Sequence, residues 1–227
     1  MKTNKLVFIL FLLLSCLFIG GSIMDIPSLV LSINFMLIPS LILYYRLKAK
    51  EIVFPLLVVM FFFYLRDILL FWSERYPLII FGCFFGAILI LLICTITGFQ
   101  KARVNPVEYI SFIIMYGFLG FLFISMGEMI PNAVPSFKYL TYLYLFTLVL
   151  FLGLSFTFYL IKSHYSSLWL MLAAASLMVS ELSLFFKTFI LEDLSVIIFY
   201  PVFHVFTYYA LIKYAMVRRE TNKIPYF

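Results

Sequence analysis

The chain has 227 residues, of which 66% are hydrophobic, 21% aromatic and only 11% charged. A mean hydropathy of +1.16 lies well outside the range of soluble globular domains and predicts an integral membrane protein. The formal net charge is +6, but basic residues in so apolar a chain are typical of helix ends, where they set topology. We therefore expect the chain to lie in a lipid bilayer and to bind no nucleic acid.

Apolar runs long enough to cross about 30 Å of hydrocarbon recur along the whole chain. The intervals between them are too short to fold as a soluble domain. The sequence therefore predicts one all-α domain over residues 1–227, a bundle of eight transmembrane helices. In chain order, the predicted spans lie near 6–24, 27–47, 52–73, 78–99, 107–127, 137–161, 168–191 and 195–217.

The loops differ in their content of Lys and Arg, and this difference predicts orientation. Arg75 and Lys138 are the basic residues on one side of the predicted bundle. The other side carries twelve: Lys2, Lys5, Arg46, Lys48, Lys50, Lys101, Arg103, Lys162, Lys213, Arg218, Arg219 and Lys223. Because basic loops stay inside the cell, both termini are expected in the cytoplasm of a multi-pass cell-membrane protein.

The first apolar run also resembles a signal peptide or a lipoprotein signal, since "MKTNK" precedes it and "LLSC" ends at Cys16. Leu14 replaces the small residue that such a signal needs two positions before the cysteine, which favours an uncleaved helix. Cleavage would leave the orientation of the other seven spans unchanged. Cys16, Cys83 and Cys94 lack metal-ligand spacing, so no metal is expected.

Several polar residues lie inside the predicted spans, where an ionisable side chain costs about 2.5 to 3.5 kcal/mol unless it has a partner or a function. Helix 3 carries Arg66 and Asp67, and helix 7 carries Glu181 between two serines. Helix 8 carries Tyr200, His204 and Tyr208, which share one face because they recur every four residues. Matching depths predict that these side chains converge in a polar cavity. The other hydroxyls of the set are Ser180, Ser183 and Thr207.

Each of these residues also has a structural interpretation. Arg66 can extend towards lipid headgroups, and adjacency in a helix places it poorly for pairing with Asp67. Either acid can serve as a structural partner of Arg66 or His204. Lys187 lies near a helix end, where a solvated role is favoured, and Asn34 can line the cavity or join two helices. Pro201 is expected to leave a backbone carbonyl free to bind water or ligand.

The motifs in helices 3, 7 and 8 resemble those of the YhhN family, eight-helix membrane proteins that include lysoplasmalogenases. "YLRDILLF" supplies Asp67, "LMVSELSLF" supplies Ser180 and Glu181, and "FYPVFHVF" supplies Tyr200 and His204 at the spacing of the family's Tyr and Gln. The chain departs from the family where Lys-Pro is usual in helix 2 and His is usual in helix 4. These positions read "FMLIPSLIL" and "LLICTITGF".

The resemblance implies hydrolysis of the vinyl ether bond of a lysolipid, with no cofactor. Glu181, which has no cation beside it in sequence, is expected to be the neutral acid, and Asp67 the ionised group that orients water; the two roles can be exchanged. His204 is expected to shuttle protons and Arg66 to anchor the lipid phosphate. The further substrate contacts expected are Ser180, Tyr200 and Tyr208.

The alternative is a non-catalytic membrane protein that binds a lipid or an apolar small molecule as a sensor, scaffold or transport component. Its scaffold would be the same, and the missing Lys and His would be losses of activity. A transporter is disfavoured because Pro39, Pro55 and Pro201 do not form the paired helix breaks of an inverted repeat.

Overall fold

The computed structural model describes residues 2–49, 52–73, 75–99, 106–129, 135–189 and 193–221, and within these ranges the chain is all-α. Eight helices are long and apolar enough to cross a membrane, which confirms the predicted number. Their bounds are α1 Lys2–Ile23, α2 Pro27–Lys48, α3 Phe54–Leu69, α4 Pro77–Ile96, α5 Pro106–Glu128, α6 Pro135–Lys162, α7 Tyr165–Phe189 and α8 Leu194–Thr221. A short 3-10 turn, Leu70–Trp72, continues α3.

Prolines mark where several of the helices begin. Pro27, Pro77, Pro106 and Pro135 are the first residues of their helices, and Pro55 is the second residue of α3. Proline fits there because the first N–H groups of a helix have no partner within the helix. Pro-initiated starts therefore explain why the predicted spans and the observed helices agree to within a few residues.

The centre of the bundle is formed by α7 and α8, which make the most extensive helix pair. Ala173 and Ala174 of α7 and Ala210 of α8 are fully buried, and such small residues allow helix backbones to approach closely. Helices α1 and α2 pack together on one side, as do α3 and α4 on another, and α6 packs against α7. By contrast, α5 packs mainly against α6 and exposes much of its apolar surface, as expected of a helix that faces lipid.

Two chain connections at the same end of the bundle lie close to the polar residues. One joins α1 to α2 between Ile23 and Pro27, and the other joins α3 to α4 between Trp72 and Pro77. We call this the upper end of the bundle. The predicted orientation would place it on the outer side of the membrane.

Candidate functional site

The predicted site residues come from three helices, and the four ionisable ones are nearly inaccessible to solvent. Arg66 and Asp67 lie in the last turn of α3, Glu181 in α7 and His204 in α8. Their exposed fractions are 1%, 3%, 4% and 1%, respectively. The structure therefore brings the ionisable groups of the three helices into one buried region, as their matching depths predicted.

One half of the site is built around Asp67. Its Oδ2 accepts a hydrogen bond from the Tyr208 hydroxyl and lies 3.0 Å from His204 Nε2. On the far side of the ring, His204 Nδ1 lies 3.4 Å from the Ser180 hydroxyl, which donates to the Tyr200 carbonyl at 3.2 Å. The His204 ring therefore bridges Asp67 and Ser180, with one of these contacts at each ring nitrogen. The arrangement can relay a proton between His204 and Asp67.

The other half of the site is built around Glu181. Arg66 Nη2 lies 2.5 Å from Glu181 Oε2, and the same oxygen accepts a hydrogen bond from the Tyr144 hydroxyl. The guanidinium also lies over the ring of Phe84, 5.2 Å from its centroid, and Phe84 stacks on Tyr144. Glu181 is therefore held by a charged and a neutral donor against an aromatic wall.

Arg66 joins the two halves. Its Nη1 lies 3.8 Å from Asp67 Oδ1, so the neighbouring residues form a loose ion pair despite their different directions on the helix. The Arg66 side chain is buried in the bundle. The interpretation that it extends towards lipid headgroups is therefore wrong. Arg66 also removes the reason for expecting a neutral Glu181, because the missing cation comes from a different helix.

Tyr144 of α6 was not predicted from the sequence. It is one of 16 tyrosines, and no charge or motif in its span distinguishes it from the others. Its hydroxyl contacts both Arg66 and Glu181. Only the packing of α6 against α7 reveals this role.

Two of the hydroxyls that the sequence singled out do not take part in the site. Ser183 donates to the Val179 carbonyl and Thr207 to the Phe203 carbonyl, so each is satisfied within its own helix. Ser180 instead reaches across to α8. Among the helix 7 and helix 8 hydroxyls, Ser180 and Tyr208 therefore carry the inter-helix contacts.

Two cavities lie above the buried charges, towards the upper end. The Glu181 cavity has a volume of about 260 Å³, includes Arg66 and Tyr144 in its wall and is otherwise mainly apolar. The Asp67 cavity has a volume of about 430 Å³ and is more polar, with Asn34 and Tyr200 in its wall. The residues that line both cavities are Leu70, Ser73 and Leu184. Asp67 and Glu181 thus line different cavities.

Several buried polar atoms in these walls have no hydrogen-bond partner among the described residues. They include Asp67 Oδ1 and Glu181 Oε1, the second oxygens of the two carboxylates, and Nε and Nη1 of Arg66. Such groups are costly to bury unless something satisfies them. Each carboxylate therefore makes its hydrogen bonds through one oxygen, while the second oxygen is buried without a hydrogen bond; Asp67 Oδ1 lies 3.8 Å from Arg66 Nη1.

The site offers no evident metal centre. Across the described ranges, no three His, Cys, Asp or Glu side chains are grouped in a way that could hold a metal ion. The one central imidazole, that of His204, is engaged by Asp67 and Tyr208 at Nε2.

Comparisons of the chain with protein-family models, curated proteins and solved structures gave no match. The resemblance to the YhhN family therefore stays a prediction from motifs, and any function has to be argued from the geometry of the site.

Proposed function

We propose that this protein is a membrane hydrolase of the lysoplasmalogenase type, which cleaves the vinyl ether bond of a lysolipid by acid/base catalysis. We place it in the cell membrane with both termini in the cytoplasm, on the strength of its loop charges. One observation carries the proposal: Asp67 and Glu181 are two buried acids, each hydrogen-bonded through one carboxylate oxygen and each lining a cavity.

The proposed reaction consumes only water, so it calls for no cofactor. A proton adds to the carbon of the C=C bond that does not carry the ether oxygen. A lone pair of that oxygen stabilises the positive charge on the other carbon, which gives an oxocarbenium ion. Water then bonds to the cationic carbon and gives up a proton. The hydroxyl of the resulting hemiacetal gives up its proton and forms the C=O bond as the C–O bond to glycerol breaks. The glycerol oxygen leaves with the electron pair of that bond and takes up a proton. The products are a fatty aldehyde and a glycerophospho-headgroup.

The geometry favours the exchanged assignment of the two acids. Asp67 would take up a proton from His204, whose Nε2 lies 3.0 Å from Asp67 Oδ2, and pass it to the substrate carbon; Ser180 lies beyond His204. Glu181, ion-paired with Arg66, would orient the attacking water and stabilise the oxocarbenium charge. Both acids touch the substrate in this account, whereas His204 is a positioning and proton-relay residue.

Arg66 takes a different role from the phosphate anchor expected from its sequence position. Its guanidinium contacts Glu181, Tyr144 and Asp67. We therefore assign Arg66 to compensating the charge of the two acids and fixing their separation. A lipid phosphate would need a cation nearer the upper end of the bundle.

A non-catalytic lipid-binding protein is the second candidate, and one observation favours it. Both acids are already paired within the protein, and such pairing is also typical of charges that have only a structural role. Ile38 is buried before Pro39, where the family usually has Lys. The scaffold would then bind a lipid without cleaving it.

The experiment that separates the two candidates is aldehyde release from a lysoplasmalogen by the purified protein in detergent. Asp67→Asn and Glu181→Gln should each lower the rate by about 100-fold or more, the usual contribution of a general acid or base. Glu128→Gln is the matched control, since Glu128 is an exposed carboxylate at the end of α5. Absence of aldehyde with folded parent protein, over several lysolipids and a range of pH, would refute the hydrolase.

A further inference from the structure

The Asp67 cavity contains polar groups that the proposed chemistry does not use. Asn34 of α2 is buried, with 6% of its surface exposed, and its Oδ1 has no hydrogen-bond partner among the described residues. The Ser22 hydroxyl, at the end of α1, is also buried without a partner. Both residues line the same cavity as Asp67 and Tyr200. These groups need a polar ligand.

The unpartnered atoms define the chemistry of that ligand. Asn34 Oδ1 is an acceptor, and Ser22 Oγ can accept or donate. A ligand group that donates a hydrogen bond, such as a hydroxyl, satisfies Asn34, whereas an ether or ester oxygen at the same place does not. Asn34 lies seven residues into α2, about 10 Å below its start. The donor must therefore reach deep into the cavity.

A cation lies nearer the upper end of the same cavity. Lys187 of α7 lines it, six residues or about 9 Å beyond Glu181 towards the upper end. Its Nζ lies 3.9 Å from the carboxylate of Asp25, whose side chain is 86% exposed. So loose a pair between accessible groups holds its partners weakly, and an anion can replace the carboxylate. Lys187 therefore supplies the cation that a phosphate requires.

We propose that the Asp67 cavity is the subsite for a glycerol phosphate with a free hydroxyl next to the phosphate-bearing carbon. Lys187 binds the phosphate, and the hydroxyl donates to Asn34 Oδ1. The chain of the lipid lies in the apolar Glu181 cavity, which shares Leu70 and Leu184 with this one. Asn34 thereby selects lysolipids, because the hydroxyl is esterified in a two-chain lipid. The inference takes its lysolipid from the proposed function but does not need cleavage.

Binding of an uncleavable lysolipid tests this inference. The ligand is a 1-O-alkyl glycerophospholipid, saturated at the ether bond, either with the 2-hydroxyl free or with the same hydroxyl methylated. The methyl ether adds one carbon and removes the donor. Native mass spectrometry in detergent gives the Kd of each. The parent should bind the free hydroxyl about tenfold more tightly, a difference of about 1.4 kcal/mol.

Variants assign the two contacts separately. Asn34→Leu should remove the preference between the two ligands, whereas Phe35→Leu, a change at the neighbouring exposed residue of α2, should keep it. Lys187→Gln should weaken both phospholipids about tenfold without changing their ratio. Lys213→Gln, a cation on α8 packed over Trp169, should leave both unchanged. If Asn34→Leu does not fold, the parent's own preference between the two ligands still tests the inference.

Equal binding of the two ligands by the parent, or an unchanged preference in Asn34→Leu, would overturn the inference. Free glycerol 3-phosphate that binds as tightly as the lysolipid would overturn its lipid part. Failure of the proposed function would give a different result from failure of this inference. If the parent protein discriminates the two uncleavable lipids but releases no aldehyde, it has the subsite but is not a hydrolase. If it releases aldehyde but does not discriminate the two lipids, it is a hydrolase without this subsite.

Discussion

Removal of the Arg66 guanidinium should destabilise the protein strongly. In Arg66→Met, Glu181 would remain buried with the Tyr144 hydroxyl as its one described donor, and Asp67 would lose the cation 3.8 Å away. Breaking a buried ion pair by removing one partner costs about 3 to 5 kcal/mol. Because the Glu181 side chain is only 2% exposed, little solvent reaches its carboxylate, and we expect a loss in the unfolding free energy within that range.

The double variant Arg66→Met/Glu181→Met tests whether the pair is the cause. It removes both charges and keeps apolar side chains of similar length, so it should recover about 2 kcal/mol or more relative to Arg66→Met alone. The recovery is incomplete because Tyr144 loses its acceptor. If each single variant costs about 3 kcal/mol, the two changes together should cost far less than their sum.

Reversible unfolding by an anionic detergent in mixed micelles, followed by tryptophan fluorescence, gives these free energies. Arg75→Met is the control, because Arg75 is exposed beyond the end of α3 and its loss should stay within about 0.5 kcal/mol. Additive losses in the double variant, with a coupling energy below about 0.5 kcal/mol, would refute the ion pair.

Three further results are expected. Gly127→Ala should lower the unfolding free energy by about 1 to 3 kcal/mol, because the new Cβ would lie 2.6 Å from a tyrosine ring of α6; Gly120→Ala in the same helix meets nothing within 4 Å and should be neutral or stabilising, so equal losses would contradict the packing. In a background without native cysteines, Ser73→Cys should react with an impermeant maleimide on intact cells and Ser163→Cys only after permeabilisation, and the reverse pattern would invert the topology. Tyr208→Phe should cost about 1 kcal/mol and slow aldehyde release, since Asp67 loses a donor; an unchanged unfolding free energy and rate would show that the hydroxyl is dispensable.

The helices and their polar residues could be read from the sequence because each depends on local information. Apolar run length fixes a span, and a proline such as Pro77 marks a start. The spacing of Tyr200, His204 and Tyr208 places them on one face of α8 whatever surrounds that helix. Depth then predicts which residues lie at the same level in different helices.

The partners within the site could not be predicted, because they depend on how the helices are rotated and packed. From the sequence, the neighbouring residues Arg66 and Asp67 were not expected to pair, and Glu181 was expected to have no cation beside it. In the structure Arg66 pairs with Glu181, which lies 115 residues further along the chain. Tyr144 enters the site through the stacking of its ring on Phe84. A single span contains no information on such contacts.

The division of the site into two cavities is also a property of packing. Leu70 and Leu184 are ordinary apolar residues in sequence, but in the bundle they line both cavities. Asn34 could be interpreted in two ways from its position in α2. Its unpartnered Oδ1 in a cavity wall decides in favour of the lining role.

Hydrolysis of a lysoplasmalogen in heavy water tests the central claim most directly. If Asp67 and its relay protonate the enol ether carbon, the aldehyde should carry one deuterium on the carbon next to its carbonyl, detected by mass spectrometry after immediate reduction to the alcohol. The Asp67→Asn variant should yield little product, and the aldehyde incubated alone should take up little deuterium in the same time. An aldehyde without deuterium, or equal release by the variant, would contradict the account.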